Sequence, residues 1–176
     1  IALATEIGIP IRNRGRNYPD CQNYAECALA LNHAEAVATP LTNGQFTTGL
    51  AGWSATGPVS AQSGIAQLQE NTGGLLTTLK QTFVVPENAQ TISFDLVSLG
   101  LESPGSGNIA DAFEASLLDA QGNSLVATFD SQATSFFNAN PGGTFSLATG
   151  VTSVGSRVTL DISSLAPGTQ ATLFLT

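Results

Sequence analysis

Basic residues are scarce in this chain. Only Arg12, Arg14, Arg16, Lys80 and Arg157 carry positive charge, against thirteen acids, for a net charge of −8. From Pro40 onward two bases face nine acids. Nothing there can form a basic face for nucleic acid or anionic lipid. Charged residues make up 10% of the chain, well below the roughly 25% of ordinary domains, and Gly, Ser, Thr, Asn and Gln supply the polarity instead. No apolar run approaches the roughly 18 residues of a membrane-spanning helix. Methionine is absent, and a start at Ile1 fits removal of a secretory leader.

Catalytic residue types are equally thin. His33 is the only histidine, and no Ser–Asp arrangement can be argued around it. Ser106 lies in Pro-Gly-Ser-Gly, a turn rather than a nucleophile elbow. Lys80 lacks an evident acid partner for a crosslink to Asn. The expectation is a protein that is not an enzyme. Cys21 and Cys27 lack zinc partners at useful spacing. They could close a small disulfide loop, which favours an oxidising compartment, or bridge two chains. Six residues of straight helix advance about 9 Å, whereas bridged Cα atoms lie within about 7 Å. A Cys21–Cys27 disulfide and a straight helix therefore exclude each other.

What is present begins at the first residue. Ile1, Leu3, Ile7, Ile9 and Ile11 are large and apolar in one phase, with Thr5 as the only break. Ala2, Ala4, Glu6, Gly8 and Pro10 fill the other phase. Alternate strand residues point to opposite faces, so residues 1–11 predict a strand with a row of apolar pegs. Such a strand needs a partner. Three arginines follow within five positions; they read either as a contact for the acidic body of another copy or as a solvated turn. Asp20 after Pro19 can cap a helix in the Ala-rich stretch that follows, so a short helical or disulfide-looped segment is expected. The chain thus divides into an extension, 1–39 (strand 1–11, connector 12–39), and a body, 40–176.

The body reads as short strands between turns. Strands are expected at Ile65–Gln69, Leu75–Val85, Thr91–Leu99, Phe113–Leu118, Ser124–Phe129, Arg157–Ile162 and Thr169–Leu175. Pro86-Glu87-Asn88, Gln121-Gly122-Asn123, Asn140-Pro141-Gly142-Gly143 and similar clusters mark the breaks. This pattern predicts an all-β sandwich or barrel.

The run LTNGQFTTGLAGWSATGP at Leu41–Pro58 resembles the opening of galactose-binding-like jelly-roll modules, which occur as carbohydrate-binding and surface-protein modules of bacteria. The stretches Gln81–Leu96, Ala110–Val126 and Ser156–Leu175 are similar to segments of bacterial extracellular proteins, so the likeness covers about Leu41–Thr176. It implies a jelly-roll β-sandwich, extracellular or on the cell surface, secreted by a prokaryote. Acidic residues that help bind a structural calcium in related modules are replaced here by Gln45 and Thr47. Asp111 and Glu114, helped by Asn108, are the remaining calcium candidates, or simply solubilising charge. Trp53, Phe136 and Phe137 are candidates for a glycan-stacking platform; at the position of Trp53, such modules usually bury the ring. Adjacent phenylalanines on a strand would leave one of the pair exposed.

Modules of this kind usually continue into one more strand. The body is therefore expected to be one strand short, while the extension offers a spare one. A jelly roll lacking a strand exposes a groove that an alternating segment fills by β-augmentation. Filling its own groove would give a monomer; filling a neighbour's propagates into a fibre. The leading expectation is a homopolymeric extracellular filament subunit with Ile1, Leu3, Ile7, Ile9 and Ile11 as donor-strand contacts and Arg12, Arg14 and Arg16 as interface charge. A carbohydrate-binding or adhesive surface module is the alternative.

Overall fold

The structure, a computed structural model, describes residues 2–6, 40–70, 76–103 and 110–176. The connector with its arginines, Cys21, Cys27 and the expected helical or looped segment lies outside the described residues, as do Ile1, Ile7, Ile9, Ile11 and His33.

Among the described residues are the strands β1 (Ala2–Glu6), β2 (Ser54–Thr56), β3 (Val59–Gln62), β4 (Ile65–Leu68), β5 (Thr78–Val84), β6 (Thr91–Ser98), β7 (Phe113–Leu118), β8 (Ser135–Asn140), β9 (Thr144–Leu147), β10 (Val151–Val154), β11 (Arg157–Asp161) and β12 (Gln170–Leu175). They form two six-stranded antiparallel sheets. The first runs β10–β11–β6–β1–β4–β3 and the second β2–β5–β12–β7–β8–β9. The protein is all-β, with a core shared by both sheets.

Alternation explains the layering. In β5, Leu79, Gln81 and Phe83 are buried while Lys80 and Thr82 are exposed. Ile92, Phe94 and Leu96 of β6, Val158 and Leu160 of β11, and Ala171, Leu173 and Leu175 of β12 repeat that pattern. A period of two turns every second side chain inward. Phe94, Phe113 and Phe137 meet edge-on in the core, with centroids 5.7–6.2 Å apart, a favoured aromatic geometry.

Two expectations are corrected. Ser124–Phe129 is not a strand; only a single bridge joins Ser124 to Leu118. Its would-be partner β7 already has β12 on one edge and β8 on the other. The Asp119 carboxylate instead accepts hydrogen bonds from the Gln121 and Asn123 backbone and the Asn123 side chain, and closes a turn. These donors, Asn123 first, hold Asp119 below the usual carboxylate range.

The second correction concerns Phe136 and Phe137, which are both fully buried. The β7–β8 register jumps from Ala115 opposite Phe137 to Ser116 opposite Ser135. Phe136 is the extra residue of a bulge, and the bulge re-aims its side chain. Simple alternation fails there, so neither ring is left on the surface.

Candidate assembly site

The feature that sets this sandwich apart is the origin of a central strand. β1 comes from the extreme N-terminal part of the chain, yet it lies between β4 and β6 of the first sheet. It pairs antiparallel to both. Against β6, Leu3 is level with Leu96, Ala4 with Asp95, Thr5 with Phe94 and Glu6 with Ser93. Against β4, Ala2 is level with Gln67 and Leu3 with Ala66. Leu96, Phe94 and Ala66, the residues level with Leu3 and Thr5, are buried. Of the predicted donor residues, Leu3 alone falls within β1.

Without β1, the first sheet divides into a β3–β4 hairpin and a β6–β11–β10 unit. The slot between them is bounded by the backbone edges of β4 and β6. At one end of it, Thr77 Oγ1 donates to the Gln69 carbonyl at 2.6 Å, drawing the end of β4 to the start of β5. Leu175 is level with Leu79 at that same start. The beginning of β1 and the end of β12 therefore share one end of the sandwich.

Among the described residues, Arg157 and Asp95 form an ion pair beside the slot. Arg157 Nε and Nη2 donate to the two Asp95 carboxylate oxygens at 3.1 and 2.8 Å. This bidentate bond holds the Asp95 carboxyl below its usual range, against a smaller opposing effect of burial. Asp95 is also level with Ala4, so the pair sits beside the inserted strand.

The body end of the connector is clamped to the other sheet. Asn43 Nδ2 donates to the carbonyls of Gly49 and Ala51, both at 2.9 Å, and Asn43 O accepts from Trp53 Nε1 at 3.2 Å. Phe46, 1% exposed, packs on Trp53 with centroids 5.2 Å apart. Gln81 reaches from β5 into this loop. Its Oε1 accepts from Thr42 N, and its Nε2 donates to the carbonyls of Thr42 and Gly52. Gly52 has φ +83°, and a Cβ there would lie 2.9 Å from Thr42 Oγ1, so only glycine fits. The Asn-Gly-x-Phe and Gly-Trp residues that carried the family likeness thus build a structural knot.

The other candidate residues are placed as follows. Trp53 is 8% exposed and Phe136 and Phe137 are fully buried. The glycan platform is therefore corrected: all three rings serve the core, and none offers a face to a sugar. Both Glu114 oxygens accept hydrogen bonds, from Ser135 Oγ at 2.7 Å and Asn138 Nδ2 at 2.9 Å. Asp111 Oδ2 accepts from the Glu102 backbone N–H at 3.0 Å. Among the described residues no group of three or more His, Cys, Asp or Glu side chains is arranged to hold a metal ion. Sequence reasoning missed Gln81, for which a lone polar residue in the apolar phase of β5 was the available signal.

No family model, curated protein or solved structure matches this chain.

Proposed function

We propose that the chain is a structural rather than catalytic subunit of an extracellular or cell-surface filament. Each copy inserts its N-terminal strand between β4 and β6 of the next. The observation that carries this reading is the position of β1: a strand remote in sequence completes the centre of a sheet.

The strand order supports a jelly-roll reading. The inner four strands are β11–β6–β1–β4 in one sheet and β5–β12–β7–β8 in the other. These eight follow the two-sheet, eight-strand jelly-roll plan, with β1 where a strand following β12 would run. Residues 7–39 separate β1 from the clamped loop and can extend to about 100 Å. That reach allows a strand to fill its own slot or a neighbour's, and only the second propagates. The acidic body and the Arg12, Arg14 and Arg16 cluster favour contact between copies.

Electron microscopy of the native protein tests the proposal. Filaments should be seen, and removal of residues 1–11 should abolish them. A synthetic 1–11 peptide added to growing filaments should cap them. Isolated particles under all conditions, or filaments that survive the deletion, would sink it.

A further inference from the structure

We propose that Asn43 is a covalent modification site gated by the fold. Its side-chain amide is hydrolysed when the knot around Trp53 opens, and the product cannot rebuild the knot. The proposal stands apart from the filament reading, because it rests on the body alone.

Asn43 begins the single Asn-Gly step of the chain. Such steps hold the most labile asparagines, because glycine has no side chain to keep its backbone nitrogen from the preceding amide. Gly44 N gives its proton to hydroxide and attacks Asn43 Cγ. The N–Cγ bond forms, the Cγ–Nδ2 bond breaks, and Nδ2 takes a proton from water and leaves as ammonia. Water then opens the resulting cyclic imide at either carbonyl, giving aspartate or isoaspartate. Nothing is oxidised or reduced, and water is the only co-reactant consumed.

The attack needs a side chain free to turn onto its own backbone. In the fold it is held on residues 48–51 instead. Nδ2 donates to the carbonyls of Gly49 and Ala51, and Oδ1 accepts from Thr48 N at 3.3 Å. The Asn43 carbonyl is held as well, by Phe46 N at 3.1 Å and by the Trp53 indole. Both amide hydrogens and the backbone beside the reacting bond are therefore engaged, and reaction waits for the knot to open. The step runs one way. An aspartate oxygen in place of Nδ2 would set acceptor against acceptor at Gly49 and Ala51, with no hydrogen between them. Isoaspartate would also route the main chain through the former side chain and displace the carbonyl that Trp53 uses. Phe46 and Trp53, now buried, would lose the loop that encloses them.

Mass-spectrometric peptide mapping of the full chain, aged at mildly alkaline pH, tests this. Conversion at Asn43 should be at least about tenfold slower in the folded chain than in guanidinium chloride. Gly44→Ala should remove most of the conversion in guanidinium, as attack by that nitrogen requires. Gln81→Ala, which loosens the knot without touching Asn43, should speed conversion in the folded chain about tenfold. Val158→Ala, or the milder Ile162→Val, both in the other half of the core, should change it less than about twofold. Asn43→Asp reports the product: it should red-shift Trp53 fluorescence and raise exchange of the Gly49 and Trp53 amides at least about tenfold. Equal rates in folded and unfolded chains overturn the proposal. Equal acceleration by Gln81→Ala and the two distant variants would mean that global unfolding, not the knot, is the gate. Native fluorescence and exchange in Asn43→Asp would mean that the knot recloses on the product, which also overturns it.

Discussion

The two sheets have matching central strands with different origins. β12 lies in the middle of its sheet between β5 and β7, is paired along its whole length to β5, and belongs to the continuous body. β1 lies in the middle of the other sheet, paired over five residues to β6 but over only two to β4. Both strands pair with partners distant in sequence, but β12 follows β11 after residues 162–169, whereas residues 7–39 lie between β1 and the body. Taking β1 out of its sheet leaves the strands on either side with partners of their own, β3–β4 and β6–β11–β10, whereas taking β12 out separates β2–β5 from β7–β8–β9.

The largest predicted contrast is in hydrogen exchange on separated protomers. β12 amides should exchange only through global unfolding, and β1 amides through a sub-global opening about a hundredfold or more faster. Equal protection of both strands would erase the distinction. Substitution gives the next effect: Leu173→Ala in β12 should cost about 2–5 kcal/mol in denaturant unfolding, since Leu173 is fully buried. Leu3→Ala should chiefly weaken strand insertion, seen as fewer filaments with the body still folded. Gln81→Ala leaves Thr42 and Gly52 backbone groups without their side-chain partner and should destabilise by about 1–3 kcal/mol. A red shift of Trp53 fluorescence at lower denaturant than wild type would report it.

The smallest effect concerns the Asp95–Arg157 pair. Asp95 titrates below its unfolded value, so its contribution is fully present above the unfolded carboxylate pKa of about 3.9. It is lost as pH falls through the depressed folded value. Arg157→Ala should remove that acid-range dependence. The pair is partly solvent-exposed, so the change at neutral pH should stay under about 1 kcal/mol. Urea midpoints measured between pH 2 and 6 would detect the altered slope.

Much of the body was legible because its strands alternate. Phe113–Leu118 was expected with the bounds observed, and the inward phases of β5, β6 and β11 followed from Leu79, Phe83, Phe94 and Val158. β8 went unread because the bulge at Phe136 destroys its period, and Ser124–Phe129 was over-read because β-rich composition does not reveal whether a partner edge is free. The need of residues 1–11 for a partner was equally visible. That residues 2–6 pair with β4 and β6 was not, since pairing between distant strands leaves no local trace.

β1 has ladder partners on both sides, which bears on how a chain of such subunits would carry tension. A pull along the strand axis loads the bonds to β4 and β6 in parallel, so they resist together, whereas an edge strand can peel one bond at a time. At the other end of the tether the pull arrives at Thr42, which Gln81 grips through both backbone groups. Force entering through the connector would therefore run into β5, the strand beside β12, and the weakest joint would be the slot itself rather than either fold.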